Sequence, residues 1–387
     1  METNRTPMIQ KKILVLGAGL VGKAIAIDLS KKYDVACADK QMCSLEALSP
    51  KYNITVIPCD FSNKEELKKL VTPYDLIIGA VPGFMGFETL KTIIECGKNV
   101  VDISFFPEDP FELDTLAKKN NVIAVTDCGV APGMCNIMAG YHRKQSKILN
   151  YECLVGGLPV VREWPFEYKA VFSPIDVIEE YTRPARYVEN GKQVVKEALT
   201  DIEKIEFDVV GELESFNSDG LRSLAHTMSE VPNMKEKTLR YPGHAELMKI
   251  FRETGFFRKD NISVAGKNIS PIDLTSKLFF EKWKLKPGEE DFTIMRVIIE
   301  TENDKITYTL LDRFDKETNT TSMARTTGYT CAAVADLILD GKFTRKGISP
   351  PEFVGDKEGC YEAVIKYLGE RNVFCKKQIV KKKELVA

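Results

Sequence analysis

A chain of 387 residues is too long for one ordinary hydrophobic core, and with 44% apolar and 28% charged residues it has the balance of a globular protein with two such cores. A formal net charge of -2 and a pI near 6.1 leave no positive field to draw the chain onto nucleic acid or an anionic membrane, so both are excluded as partners. The ten cysteines form no CxxC pair, so they read as small buried residues of a reducing compartment and no metal is assigned. No window reaches the length of a membrane span and Met1 to Gln10 is polar, which makes the cytoplasm the default location.

The first predicted element is a buried strand over Lys11 to Leu16, which ends at Gly17-Ala18-Gly19-Leu20-Val21-Gly22. Alanine and aliphatic residues at helical spacing follow from Lys23 to Leu29, so strand, glycine turn and helix stand in the order a dinucleotide fingerprint needs. In that turn Gly17 permits the tight bend, Gly19 lets backbone approach a pyrophosphate, and Gly22 lets the helix pack on the strand. Leu20 and Val21 open the helix, whose free amides face the phosphates. A second strand over Tyr33 to Ala38 leads to Asp39, 22 residues after Gly17, where a carboxylate bonds the adenosine ribose and repels a 2′-phosphate. NAD is therefore expected over NADP.

Strands over Ile54 to Ile57, Asp75 to Ala80, Asn99 to Ser104 and Val122 to Asp127, with helices between them, complete a doubly wound parallel sheet. Ligands bind beyond the carboxyl ends of such strands, which nominates Asp60, Ala80, Val81, Pro82, Asp102, Ser104 and Asp127 as rim residues. From about Asn150 to Arg313 the pattern changes to strands separated by long loops, which predicts a second α+β domain with a mixed or antiparallel sheet. Helical periodicity returns at Thr330 to Leu339, and the basic run Lys376 to Lys383 reads as a solvated, frayed terminus.

The segment Gly129-Val130-Ala131-Pro132-Gly133-Met134 resembles the domain junction of the saccharopine dehydrogenase family. Val155-Gly156-Gly157-Leu158-Pro159, Phe166-Glu167-Tyr168-Lys169, Leu239-Arg240-Tyr241-Pro242-Gly243-His244 and Met323-Ala324-Arg325-Thr326-Thr327-Gly328-Tyr329 resemble further motifs of that family, in its order. Within it the lysine 6-dehydrogenase branch is the most similar, through the Glu167-Tyr168 pair and His244. Around Ser218 to Arg222 the sequence departs from both the lysine and the saccharopine branches. The resemblance implies a Rossmann domain over 1–131, a substrate-binding and dimerisation domain over 132–324, and a helical segment over 325–387 that returns to the first domain. It further implies a homodimer at least, and a nicotinamide-dependent oxidation of a lysine-type amine.

Oxidising an amine needs a base, and a free amino-acid substrate needs a cation for its carboxylate. Arg240 and Arg222 are the expected cations, with Tyr168 and Asp219 beside them in the substrate set. Of the three histidines, His244 is the expected general base, and Glu167 and Asp102 are the acidic alternatives. The expected reaction is deamination of the lysine ε-carbon with release of ammonia and reduced NAD. Saccharopine chemistry at a secondary amine is the alternative, and a non-catalytic redox sensor the second one. Neither GxSxG nor HExxH occurs, which leaves no serine nucleophile elbow or zincin helix.

Overall fold

The computed structural model describes residues 10–48, 51–171, 174–286 and 288–382. It divides into two units, the first made of 1–128 with 328–349 and the second of 129–327 with 350–387.

The first unit alternates strand and helix: β1 (Lys12–Leu16), α1 (Leu20–Leu29), β2 (Asp34–Asp39), α2 (Met42–Glu46), β3 (Ile54–Pro58), α3 (Lys64–Val71), β4 (Leu76–Gly79), α4 (Gly83–Glu95), β5 (Asn99–Asp102), α5 (Asp114–Lys119) and β6 (Ile123–Val125). The inner strands are short aliphatic runs buried on both faces, as helices on each side of a parallel sheet require, while the edge strand β3 is partly open; Ile13, Leu14, Val15 and Leu16 are all fully enclosed. Start signals act locally. Asn63 precedes α3 and its side chain accepts from the amides of Glu65 and Glu66, while Lys68 and Lys69 stand in the last turn. The strands run β6-β5-β4-β1-β2-β3, all parallel, and Gly347–Ser349 pairs with β6 as a seventh. Strand order reverses between β1 and β4, so the crevice beyond their carboxyl ends is the place for a ligand.

The second unit holds α6 (Met134–Arg143), β7 (Ile148–Pro159), α7 (Pro174–Thr182), β8 (Ala185–Glu189), β9 (Lys192–Lys196), β10 (Glu203–Phe207), β11 (Gly211–Asn217), α8 (Leu224–Thr227), β12 (Asn233–Arg240), α9 (His244–Glu253), β13 (Ile262–Val264), β14 (Lys267–Ile269), α10 (Pro271–Trp283), β15 (Asp291–Thr301) and β16 (Asp304–Arg313). Helix α11 (Ser322–Leu339) carries the chain into the first unit, where β17 is the Gly347–Ser349 strand. Then α12 (Pro351–Asp356), α13 (Cys360–Gly369) and β18 (Cys375–Lys381) belong to the second unit again. The returning segment is thus shorter than the expected 325–387, because the Pro350-Pro351 pair ends β17 and opens α12.

A nine-stranded mixed sheet runs β10-β11-β12-β7-β15-β16-β18, with β8 paired to β12 and β9 to β8. Only β12 and β7 are parallel in it, Glu236 standing opposite Cys153. The basic tail is not a frayed end through Lys381: Cys375 to Lys381 pairs with β16, and Lys377 Nζ lies 5.4 Å from the Tyr308 ring centre. Lys383 lies outside the described residues. The core of this unit is aromatic, with Tyr181, Phe216 and Trp283 fully enclosed and Phe279 and Phe292 beside them. Each such side chain contributes roughly 1.5–3 kcal/mol on burial.

The chain leaves β6 through a turn only glycine can make. Gly133 has φ +139°, and a Cβ there would stand 1.8 Å from the Gly129 carbonyl oxygen.

Candidate cofactor and substrate sites

In the first unit the fingerprint glycines differ in what surrounds them. Gly17 has φ +109° and a Cβ on it would meet the Ala80 carbonyl oxygen at 2.3 Å, while its amide donates to Ala38 O at 2.8 Å. Gly19, by contrast, has nothing within 4 Å of its would-be Cβ. It is the N-cap of α1 and no side chain caps that helix, so the amides at its start, around Leu20 and Val21, lack a side-chain acceptor. An open cradle at an uncapped ten-residue helix fits a pyrophosphate, which supplies the acceptors the backbone lacks. Ala80 donates to Leu16 O at 2.9 Å, Val81 is buried, and Pro82 opens α4, so this expected rim follows β4 directly.

Asp39 stands at the end of β2, but its carboxylate is already engaged. Oδ2 accepts from the Ala18 amide at 2.7 Å and Oδ1 from the Gln41 amide at 2.8 Å, which ties the glycine turn to the start of α2. Lys40 Nζ reaches Asp60 Oδ2 at 2.6 Å; that bond, with those from Ser62, holds the Asp60 carboxyl down at about 2. Asp102 is fully enclosed, accepts from Ser104 N at 2.8 Å and from Ser104 Oγ at 3.2 Å, and so closes a turn after β5.

In the second unit, Tyr168, Arg240 and His244 come together. His244 is 3% exposed at the start of α9, and its Nδ1 lies 2.8 Å from the Phe166 carbonyl oxygen. A carbonyl only accepts, so Nδ1 carries the proton and Nε2 accepts from Tyr181 Oη at 2.9 Å. Burial, and then the nearby Arg240 charge, push the imidazole down to about 3, so it is neutral at physiological pH. Glu214 of β11 holds this helix start by accepting from Gly243 N at 2.9 Å and Ala245 N at 2.6 Å. Arg240, at the end of β12, donates from Nη2 to Glu180 Oε2 at 2.7 Å and from Nη1 to Leu239 O at 2.9 Å. Its guanidinium carbon lies 4.5 Å from the Tyr168 ring centre, and the Tyr168 and Trp283 rings meet edge to face at 5.3 Å. Tyr168 Oη, Trp283 Nε1 and Arg240 Nε are buried with no hydrogen-bond partner among the described residues. Each donor left so costs about 1–3 kcal/mol, and three on neighbouring side chains fit a ligand that brings acceptors.

The other expected residues do not join this group. Glu167 has φ +48° and accepts from Arg162 Nε at 2.6 Å. Asp219 takes Arg186 in a two-pronged pair at 2.9 and 2.8 Å. Arg222 is buried at φ +48° in the loop after Asp219. Sequence reasoning missed Glu180, Tyr181, Glu214 and Trp283; the acidic-aromatic run Glu179-Glu180-Tyr181 inside an amphipathic helix was the available signal. Among the described residues no helix is long and apolar enough to cross a membrane.

Comparison with known proteins agrees with this layout. The family model described as saccharopine dehydrogenase C-terminal domain matches residues 129–373, and that described as saccharopine dehydrogenase NADP binding domain matches 13–125. The mouse (Mus musculus) alpha-aminoadipic semialdehyde synthase, mitochondrial, is 22% identical over 88% of this chain and 45% of its own length, so the chain spans less than half of that relative. Saccharopine dehydrogenase (NADP(+), L-glutamate-forming) of Schizosaccharomyces pombe is 24% identical over 88% of this chain and 93% of its own. The solved apo saccharopine dehydrogenase (L-Glu forming) of Saccharomyces cerevisiae superposes with a TM-score of 0.77 at 20% identity, covering 96% of this chain and 100% of that one, which shows the same fold. The NADP named in these comparisons runs against the NAD preference read from Asp39. A parallel sheet of Rossmann order followed by a mixed-sheet unit, with a family model matching more than half of the residues, gives the conclusion that the chain belongs to the saccharopine dehydrogenase family.

Proposed function

We propose that this chain is a nicotinamide-dependent oxidoreductase that breaks a C–N bond of a lysine-type amino acid, by deaminating the ε-carbon of lysine with release of ammonia. The observation that carries the reading is the pair of buried Arg240 with part-buried Glu180, flanked by the unpartnered donors of Tyr168 and Trp283. A zwitterionic amino-acid head presents both charges, so its carboxylate can take the donors and its ammonium can share Glu180. A bound nicotinamide would supply the hydride acceptor, held through the open Gly19 cradle, Leu20, Val21 and the rim at Ala80 to Pro82.

His244 serves as a positioning residue: with Nδ1 on Phe166 and Nε2 on Tyr181, it fixes the segment that carries Tyr168. The base for the amine proton is then Glu167 or Asp102, and the pH profiles of kcat/KM for Glu167→Gln and Asp102→Asn identify which. Arg222 and Asp219 stand in the loop where this sequence departs from both branches, and select the substrate side chain. NADP is the cofactor we propose. Lys40 would hold the 2′-phosphate while Asp39, bonded to Ala18 and Gln41, braces the turn. The active species is a homodimer, which light scattering at working concentration tests.

Saccharopine oxidation is the second reading, favoured by the relatives named for it. Reduced cofactor is followed with lysine or saccharopine and with NAD or NADP. Ammonia in step with reduced cofactor from lysine supports the first reading, and glutamate from saccharopine supports the second. Cofactor binding without turnover of either substrate overturns both and leaves a sensor.

A further inference from the structure

Apart from the sites above, the second unit gathers a group of nucleophilic side chains that the proposed reaction does not use. Cys135 stands in the first turn of α6, Cys153 in β7 and Glu236 in β12, and each is at most 2% exposed. Both cysteines are free thiols. Their sulfurs and a Glu236 carboxylate oxygen all lie within 4.8 Å of one another. The parallel register makes this meeting necessary: Glu236 is the direct partner of Cys153, so the two side chains share one face of the sheet. Tyr151 lies two residues before Cys153 on that face, with its hydroxyl against both thiols. That hydroxyl is buried. The Cys135 thiol donates to Asn136 Oδ1 at 3.1 Å, and that same oxygen accepts the Gly133 amide at 3.0 Å.

We infer that Cys135, Cys153 and Glu236 form a structural site for a thiophilic divalent cation, Zn²⁺ before others, with the Tyr151 hydroxyl beside the fourth position. Two sulfurs and one oxygen suit zinc, whereas a hard cation such as Ca²⁺ or Mg²⁺ takes an all-oxygen shell. Zinc held at about 2.3 Å from sulfur and about 2.0 Å from oxygen needs ligand atoms roughly 3.5–4 Å apart. The observed spread of 4.8 Å closes by small side-chain movements. On binding, both thiols lose their protons to solvent and two sulfur–zinc bonds form, with no change of oxidation state. The cation would tie α6 to the paired strands β7 and β12 just after the turn where the chain enters this unit. Since the ligands are enclosed, it would enter while the unit folds.

The whole protein, expressed in zinc-supplemented medium and desalted, is analysed for metal by mass spectrometry, and one zinc per chain is expected. Refolding from denaturant with Cd²⁺ in place of zinc should add a sulfur-to-metal absorption band in the ultraviolet. Cys153→Ala and Glu236→Gln should each lower retained zinc by roughly tenfold or more. Where Cys153→Ala does not fold, the zinc content and cadmium band of the unaltered chain decide the matter alone. Metal-free protein whose refolding midpoint is the same in zinc and in chelator overturns the site. So does a protein that binds no metal and answers a diazene thiol oxidant by losing two hydrogens between Cys135 and Cys153, because the cluster is then a redox pair.

Discussion

The glycine turn of the first unit and the buried polar group of the second are both ligand-shaped, but they are built in opposite ways. Around Gly17 to Gly22 the shape comes from backbone: a positive φ, an uncapped helix start and the absence of side chains. Around His244 it comes from side chains of four separate elements, α7, β12, α9 and α10, which meet only after the mixed sheet has formed. A backbone site is encoded within a dozen residues and tolerates change nearby. A site of interlocked charges is encoded across more than a hundred, and one missing partner disturbs all the others.

The same contrast explains what was legible in the sequence. Strand, turn and helix at Lys12 to Leu29 follow from spacing alone, as does the parallel order of the sheet. Asp39 was visible at its position, but not that the amides of Ala18 and Gln41 would occupy both its oxygens, because those contacts depend on where the turn folds back. His244 was visible as a motif residue. Its neutrality was not, since that arises from enclosure and from Arg240. The meeting of Cys135, Cys153 and Glu236 has no sequence signal, because it depends on the register of two parallel strands far apart in the chain.

Breaking the side-chain site should have the largest effect. Arg240→Met leaves the part-buried Glu180 without its cation, and loss of one partner of such a pair costs up to about 3 kcal/mol, below the figure for a fully enclosed pair because Glu180 keeps some solvent. Denaturant midpoints should show that loss, and kcat/KM should fall well beyond it at permissive temperature. A variant with full activity would remove Arg240 from the substrate site.

Acid should probe the same group. His244 is held at about 3 in the folded chain, against about 6.5 when unfolded. Between those values the unfolded state binds one more proton, so stability falls as pH falls, by up to about 1.4 kcal/mol per pH unit, and above 6.5 the histidine contributes no slope. His142, pushed down to about 4 by burial and then by Lys377, acts in the same sense. Asp291, raised to about 6 by burial, acts in the opposite sense. The difference between the parent chain and His244→Gln isolates one group. The stability advantage of the parent over His244→Gln, measured as unfolding free energy from pH 7 to pH 4, should shrink as the pH falls, and parallel curves would show that His244 is not held neutral.

The backbone site should separate fold from ligand. Gly17→Ala brings a Cβ to 2.3 Å from Ala80 O at φ +109°, so a stability loss of about 1–3 kcal/mol is expected together with lost cofactor binding. Gly19→Ala meets nothing within 4 Å, so its melting temperature should match that of the parent while its cofactor affinity falls. Equal losses of stability in the two variants would mean that Gly19 does not line the cradle.

The smallest change tests whether the two nitrogens of His244 work together. Tyr181→Phe removes only the hydroxyl that donates to Nε2, in a side chain that is otherwise fully packed among Phe216, Phe257 and Trp283. The lost hydrogen bond and the acceptor left bare amount to about 1–2 kcal/mol, which denaturant titration resolves. Because Nδ1 stays on the Phe166 carbonyl, the ring keeps its place and the Tyr168 segment keeps its anchor. A positioning role therefore predicts a modest rise in KM with kcat nearly unchanged. If Tyr181 instead passes a proton to the substrate, kcat falls by roughly a hundredfold and the alkaline limb of the pH profile disappears with it.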